Sequence, residues 1–306
     1  MELDAVKKFL GRDWERVQAR ISGLLKSDIE ILNTTNARIL GHSGKQLRPL
    51  LAVLIARACS GGTLTEASVS YAAAAELLHN ATLLHDDVAD SSDQRRGVPT
   101  IRSVMGPSVS VLVGDFWLVK AMESILCCGS PLDNRVIRIF SRTLSDLAEG
   151  EMLQLQKAGT GDTDEKDYLK IIFNKTASLF EASALSAAIS VGASAEVEEA
   201  VCRYAVSLGM AFQIKDDIFD YLPSSSMVGK PVGVDIMEQK MTLPLLGAIS
   251  NAADGRAAEI RSKVMDIGAH PEYRDEIIAF VRSEGGIEYA ASRLQEYLAE
   301  ARAALG

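Results

Sequence analysis

Scarce prolines and helically spaced apolar residues limit the folds open to this chain. Its 306 residues include only 8 prolines, so long helices can run without interruption. Apolar residues recur at helical spacing, as in Leu50, Leu51, Leu54 and Ile55, and no convincing run alternates in the manner of a half-buried strand. The sequence therefore predicts an all-α fold with about ten or more helices.

Clusters of Gly, Pro and Ser mark the expected helix ends. They fall at residues 59–65, 91–107, 129–133, 159–163 and 222–235. Asp162 and Glu165 have the spacing of a capping box, which predicts the start of the next helix. None of the breaks reads as an interdomain linker, so we expect a single domain over residues 1–306.

Composition excludes several classes of function. The chain has 32 Lys+Arg against 41 Asp+Glu, a net charge of -9, which argues against a nucleic-acid partner. The longest charge-free run, residues 182–195, has 14 residues, and a transmembrane helix needs about 20. The first residues are charged where a signal peptide needs an apolar core, and the 4 cysteines show no CxxC spacing. We therefore expect a soluble, cytoplasmic protein with reduced thiols.

Two copies of the pattern Asp-Asp-x-x-Asp, at residues 86–90 and 216–220, each follow an apolar helical stretch. At about 100° per residue, the first and last Asp of a copy lie roughly 40° apart on one helix face, and the middle Asp lies to one side. A solvated acidic helix end is the alternative, but adjacent carboxylates repel one another without cations. Oxygen ligands without His or Cys favour Mg²⁺ over Zn²⁺. The candidate metal residues are Asp86, Asp87, Asp90, Asp216, Asp217 and Asp220.

Polar and basic residues accompany both acidic motifs. His79 and Thr82 precede Asp86 on nearly the same helix face, and Gln213 precedes Asp216 in the same way. Basic side chains stand at Lys45, Arg48, Arg95, Arg96, Lys175, Lys230 and Lys240. Each alone is typical of a solvated surface charge. Together with Mg²⁺-binding carboxylates, they form a constellation suited to a diphosphate ligand.

The whole set resembles the trans-isoprenyl diphosphate synthase (polyprenyl synthetase) family. The matching pieces stand in the family's order at residues 44–49, 83–90, 95–97, 111–115, 175–176, 213–220 and 229–246. The resemblance implies a single-domain helical bundle around a central cavity, usually a homodimer. It also implies a reaction that needs two or three Mg²⁺ ions, the head-to-tail (1'-4) condensation of isopentenyl diphosphate with an allylic diphosphate.

The resemblance implies roles for individual residues. The first Asp motif would hold Mg²⁺ at the allylic diphosphate, and the second would hold further Mg²⁺. Contacts to the allylic diphosphate fall to Arg95, Lys175, Lys230 and Lys240, and contacts to isopentenyl diphosphate to Lys45, Arg48, His79 and Arg96. Thr176 and Gln213 would face the reacting carbons. The catalytic set is Lys175, Thr176, Gln213, Asp86 and Asp216. Gln239 departs from the family pattern, in which Gly often precedes the final Lys.

Small residues before the first acidic motif bear on product length. Ala81 and Thr82 lie five and four residues before Asp86, about 6–8 Å along the helix. Plain helix packing is one interpretation; an open tunnel for a growing chain is the other, and it predicts a long product. The segment 75–97 most resembles long-chain, octaprenyl-type synthases that make quinone side chains. The product is expected to leave through transient apolar membrane contact.

Other functions stay open. A shorter-chain farnesyl or geranylgeranyl diphosphate synthase is the main alternative. A terpene cyclase normally carries Asn, Ser or Thr and Glu in its second metal motif. A non-catalytic subunit of a heteromeric prenyl synthase typically lacks Asp from one motif, and here both are complete. A His-Asp phosphohydrolase, suggested by His85 and Asp86, needs further spaced His ligands, and the chain has only 4 His.

Overall fold

A computed structural model describes residues 3–95, 97–222 and 232–306. Two compact units are present, one formed by Met1–Arg142 with Leu179–Cys202 and the other by Thr143–Ser178 with Arg203–Gly306. Within the described ranges the only strands are β1, Gln94–Arg95, and β2, Val98–Pro99, which pair antiparallel with Arg95 opposite Val98. All other regular elements there are helices, so the expected all-α fold is confirmed.

The helices follow in chain order. The first seven are α1 Leu3–Leu10, α2 Arg12–Leu24, α3 Glu30–Gly41, α4 Leu47–Ser60, α5 Glu66–Ala89, α6 Ile101–Met105 and α7 Pro107–Leu126. The next are α8 Asp133–Thr160, α9 Glu165–Ile172, a π-helical segment Phe173–Ala177, α10 Ser178–Ser190 and α11 Ala195–Phe219. The last are α12 Val234–Met237, α13 Leu243–Asn251, α14 Asp254–Met265, α15 Tyr273–Ser283 and α16 Gly286–Ala304. None of the described helices is long and apolar enough to cross a bilayer.

Helix α5 is the centre of the first unit, where it packs against α2, α4 and α7. Two hydroxyls of α7 donate to carbonyls of α5, Ser124 to Ser70 and Ser110 to Leu84, each at 2.8 Å. Gly114 permits this approach, because a Cβ there would lie 2.4 Å from the His85 ring. The contact with α7 therefore extends to the end of α5 that carries the first acidic motif.

The core of the second unit fixes helices α9 and α11. Helix α13 packs against α15 and α16, and the buried cluster there includes Tyr168, Ile214, Tyr221, Leu243 and Val281. Tyr168 comes from α9 and Ile214 from α11. Both helices therefore carry their polar side chains on a rigid, apolar support.

The start of α9 corrects one prediction from the sequence. Asp164 caps the helix by accepting from the backbone N–H of Asp167, and the Asp167 side chain accepts in return from the N–H of Asp164. The expected capping box of Asp162 and Glu165 is wrong. The Asp162 carboxylate instead accepts a hydrogen bond from the Lys157 ammonium group at 3.2 Å. Asp162 therefore bonds to the last turn of α8.

Candidate active site

Both acidic motifs lie at the carboxyl ends of long helices. Asp86 is in the last turn of α5 and Asp90 directly follows it, while Asp216 is in the last turn of α11 and Asp220 follows. The carboxyl end of a helix carries the negative end of the helix dipole, which disfavours carboxylates and favours cations. Two acidic motifs placed there would be stabilised by bound cations, which supports the metal prediction.

The middle Asp of each motif is buried against protein donors. Asp87 is 4% exposed and accepts from Arg95 Nε at 2.8 Å. Asp217 is 5% exposed and accepts from the Tyr168 hydroxyl at 2.7 Å and from Gln213 Nε2 at 2.8 Å. Burial raises the pKa of Asp217 to about 6, against the lowering effect of these two donors. The predicted metal role of Asp87 and Asp217 stays a prediction, since both side chains are engaged by protein.

The outer carboxylates are less buried than the middle ones. Asp86 and Asp90 are half-buried, Asp216 is exposed and Asp220 is half-buried. The Asp220 carboxylate also accepts the backbone N–H groups of residues 234 and 235 at 3.1 and 3.0 Å. In the part of the chain that the structure describes, no three acidic, His or Cys side chains form a metal cluster. A pair of oxygen ligands on each helix still fits Mg²⁺, which takes its remaining ligands from water and phosphate.

The structure brings Thr176 and Gln213 together from segments far apart in sequence. The Thr176 hydroxyl donates to Gln213 Oε1 at 2.8 Å. Thr176 and Lys175 belong to the π-helical segment, a rare backbone form that is frequent at functional sites. Lys175 forms an ion pair with Glu151. Gly150 permits the close approach of α8 here, because a Cβ would lie 2.7 Å from the Cβ of Asn174.

The other predicted cations have diverse surroundings. Arg48 is 8% exposed, with its guanidinium 4.9 Å from the Phe180 ring centroid. Lys45 is exposed and His79 is half-buried. Lys240 forms an ion pair with Glu238 at 2.5 Å. Two more predicted ligand contacts, Arg96 and Lys230, lie outside the described residues.

Gln239 occupies a backbone conformation that favours glycine. Its φ is +57°, in the left-handed region. Its side chain donates to the Met265 carbonyl at 2.6 Å, which offsets part of the conformational cost. The departure from the family's Gly is therefore accommodated by a hydrogen bond that Gly cannot make.

The two residues predicted to set product length differ in burial along α5. Ala81 is 1% exposed and lies in α5 between the two carbonyls bonded by α7. Thr82 is half-buried and donates to the His79 carbonyl at 2.9 Å. Their role in a tunnel stays a prediction.

Three residues at this site were missed from the sequence: Tyr168, Glu151 and Gly150. The hydroxyl of Tyr168 bonds to Asp217, which lies 49 residues away. Glu151 and Gly150 also contact residues of another segment. No local spacing in the sequence signals any of the three.

Comparison with known proteins finds similar sequences over nearly the whole chain. The polyprenyl synthetase family model matches residues 29–280. The chain is 37% identical over 305 residues to octaprenyl diphosphate synthase of Escherichia coli, covering 100% of this chain and 93% of that protein. It is 36% identical over 297 residues to an all-trans-nonaprenyl-diphosphate synthase (geranyl-diphosphate specific) of Rhodobacter capsulatus, covering 97% and 89%.

Solved structures show the same relationship. A decaprenyl diphosphate synthase from Rhodobacter capsulatus has a TM-score of 0.90 at 34% identity, covering 99% of this chain and 92% of that one. A polyprenyl synthase from Caulobacter crescentus CB15, complexed with calcium and isoprenyl diphosphate, has a TM-score of 0.90 at 33% identity, covering 99% and 91%. The expectation from the sequence is confirmed: the chain belongs to the polyprenyl synthetase family.

Proposed function

We propose that the protein condenses isopentenyl diphosphate head to tail with an allylic diphosphate and releases a long-chain, all-trans polyprenyl diphosphate. The observation that carries the proposal is the placement of two complete acidic motifs at the carboxyl ends of α5 and α11, where cations are favoured. Relatives at 36–37% identity that are named as octaprenyl and nonaprenyl synthases support the long product. A quinone side chain is the use we propose for it.

The residues of the site divide the work between charge and positioning. The outer carboxylates Asp86, Asp90, Asp216 and Asp220 would hold Mg²⁺, which when bound supplies positive charge to the departing diphosphate. Lys175 adds a cationic donor, and the ion pair with Glu151 fixes its position. The oxygen dipoles of Thr176 and Gln213 would stabilise the allylic cation. In our proposal the released diphosphate accepts the final proton.

A metal-binding variant with a matched control tests the reaction. Asp86→Ala removes one outer carboxylate and is expected to lower isopentenyl diphosphate incorporation by about 10²-fold or more, the effect of several kcal/mol of charge stabilisation. Asp28→Ala, at an exposed acidic residue outside any helix, is the control and should keep full activity. Equal activity of the two variants would show that Asp86 has no role in the reaction.

Product length is tested at Ala81. Phe in place of this buried methyl group fills space along α5, so Ala81→Phe is expected to give a shorter product. Overpacking should also destabilise the fold by about 1–3 kcal/mol. Reversed-phase chromatography of dephosphorylated products measures the length, and an unchanged distribution would end the tunnel interpretation. A short product from the unmodified protein would instead favour the farnesyl or geranylgeranyl alternative.

We propose a homodimer that associates through α7. Three apolar residues of that helix recur every seven positions and are well exposed, Leu112 at 66%, Val119 at 54% and Leu126 at 51%. Such a stripe is typical of a helix that packs against a partner.

The family model runs through segments of both compact units, which supports one polyprenyl synthetase domain over 1–306. The 4 free cysteines support a reducing, cytoplasmic location.

A further inference from the structure

A chain of hydrogen bonds connects a buried tyrosine to the predicted reacting end of the site. The Tyr168 hydroxyl donates to Asp217 Oδ2 at 2.7 Å, and Gln213 Nε2 donates to Asp217 Oδ1 at 2.8 Å. The Thr176 hydroxyl then donates to Gln213 Oε1 at 2.8 Å. Three separate segments, α9, α11 and the π-helical segment, are joined by these bonds.

The direction of every bond follows from the carboxylate at the centre. Both Asp217 oxygens are acceptors, so the Gln213 amide must turn its NH₂ group toward Asp217. Its carbonyl oxygen then points to Thr176, whose hydroxyl can bond to it only as a donor. The lone pairs of the Thr176 oxygen are consequently left for another group.

Burial makes this arrangement rigid. Tyr168, Asp217 and Thr176 are 3%, 5% and 6% exposed, and hydrogen bonds are stronger and more costly to break in such surroundings. The ring of Tyr168 belongs to the apolar core of the second unit. The hydroxyl of Tyr168 therefore has a fixed place from which to orient Asp217.

We propose that Tyr168 is a positioning residue for prenyl transfer. Through Asp217 and Gln213 it holds the Thr176 hydroxyl with its oxygen lone pairs available to the developing allylic cation. This inference rests on the proposed function, and it adds a residue that touches neither substrate nor metal. Oxygen dipoles that are oriented beforehand stabilise a developing charge without reorganisation during the reaction.

The first test removes only the hydroxyl, in Tyr168→Phe. We expect kcat to fall roughly tenfold or more, because a small misplacement of a catalytic group is expensive, with both KM values within about twofold of wild type. Tyr221→Phe is the matched control: its hydroxyl is also fully buried in the same core but bonds to Thr242 at 3.1 Å. The control should keep the wild-type kcat.

A double-mutant cycle separates positioning from a purely structural role. Thr176→Val removes the end of the chain of bonds, and in that background Tyr168→Phe should change kcat by less than about twofold. The same fold loss in both backgrounds would show that Tyr168 acts only on the fold and would overturn the inference. A wild-type kcat in the single variant would overturn it too. Wild-type protein that does not incorporate isopentenyl diphosphate would instead overturn the proposed function, and the inference with it.

Asp217→Asn is a second variant that keeps the number of bonds but reverses the two that lie beyond Tyr168, from residue 217 to Gln213 and from Gln213 to Thr176. With the Asn oxygen accepting from the Tyr168 hydroxyl, its NH₂ group faces Gln213, the Gln213 amide turns over and the Thr176 oxygen becomes an acceptor. We expect a loss of kcat that added Mg²⁺ does not restore. Recovery of wild-type kcat at high Mg²⁺ would show that Asp217 acts only on the metal.

Discussion

Gly150 offers a strict test of how the π-helical segment is held. An ideal Cβ at Gly150 would lie 2.7 Å from the Cβ of Asn174, 2.9 Å from the Cγ of Lys175 and 3.2 Å from its backbone nitrogen. Carbon atoms in contact normally lie about 3.5–4.0 Å apart. Gly150→Ala must therefore separate α8 from the π-helical segment by roughly 1 Å.

This displacement has two expected effects. Overpacking of the interface should lower the free energy of unfolding by about 1–3 kcal/mol. The shift also moves Lys175, whose partner Glu151 is the residue next to Gly150. A catalytic group misplaced by about 1 Å can lose about 10²-fold in rate, so we expect a loss of this order in kcat.

Urea unfolding and steady-state incorporation of isopentenyl diphosphate measure the two effects. Gly159→Ala is the matched control: the same change in the same helix, where a Cβ would meet nothing within 4 Å. It should keep full activity and gain up to about 1 kcal/mol, since Ala is the better helix former. If Gly150→Ala were as stable and as active as Gly159→Ala, the close approach of α8 would not position Lys175.

Three further predictions concern other parts of the chain. Because φ at Gln239 is positive, Gln239→Gly should unfold at higher urea concentration than Gln239→Ala, with a difference of about 1 kcal/mol; the opposite order would contradict the left-handed backbone. Burial, and to a smaller extent the negative charge of Glu181, raises the pKa of the Cys202 thiol to about 12. A maleimide at pH 8 should therefore label exposed Cys127 and leave Cys202 unmodified, and mass spectrometry of the peptides measures both. Leu112→Glu should convert a dimer to monomers in sedimentation velocity, whereas Val197→Glu, at another exposed apolar residue, should not; two dimeric variants would exclude an interface at this point of α7.

The features predicted correctly from sequence are those with a regular period. Few prolines and a helical repeat of apolar residues predict an all-α chain, because both act through local backbone geometry. The same geometry separates the middle Asp of each motif from its neighbours. Asp87 and Asp217 lie about 100° from Asp86 and Asp216 around the helix, and both are buried.

The features that escaped prediction depend on contacts between distant segments. Tyr168 and its acceptor Asp217 are 49 residues apart, and no local pattern links them. The π-helical segment has no sequence signature, since its hydrogen bonds only shift from one carbonyl to the next. Helix α9 begins at Glu165, so its cap is Asp164 rather than Asp162, and the spacing of acidic residues alone does not distinguish the two positions.

The most direct test of the central claim is a single reaction of the purified, unmodified chain. Labelled isopentenyl diphosphate is supplied with an allylic diphosphate primer and Mg²⁺, and the dephosphorylated products are separated by reversed-phase chromatography. The proposed function predicts label in a long polyprenyl product, and its loss when primer or Mg²⁺ is left out. Absence of labelled product from the chain alone would contradict the claim and favour a non-catalytic subunit, and a cyclic product formed without isopentenyl diphosphate would contradict it in favour of a terpene cyclase.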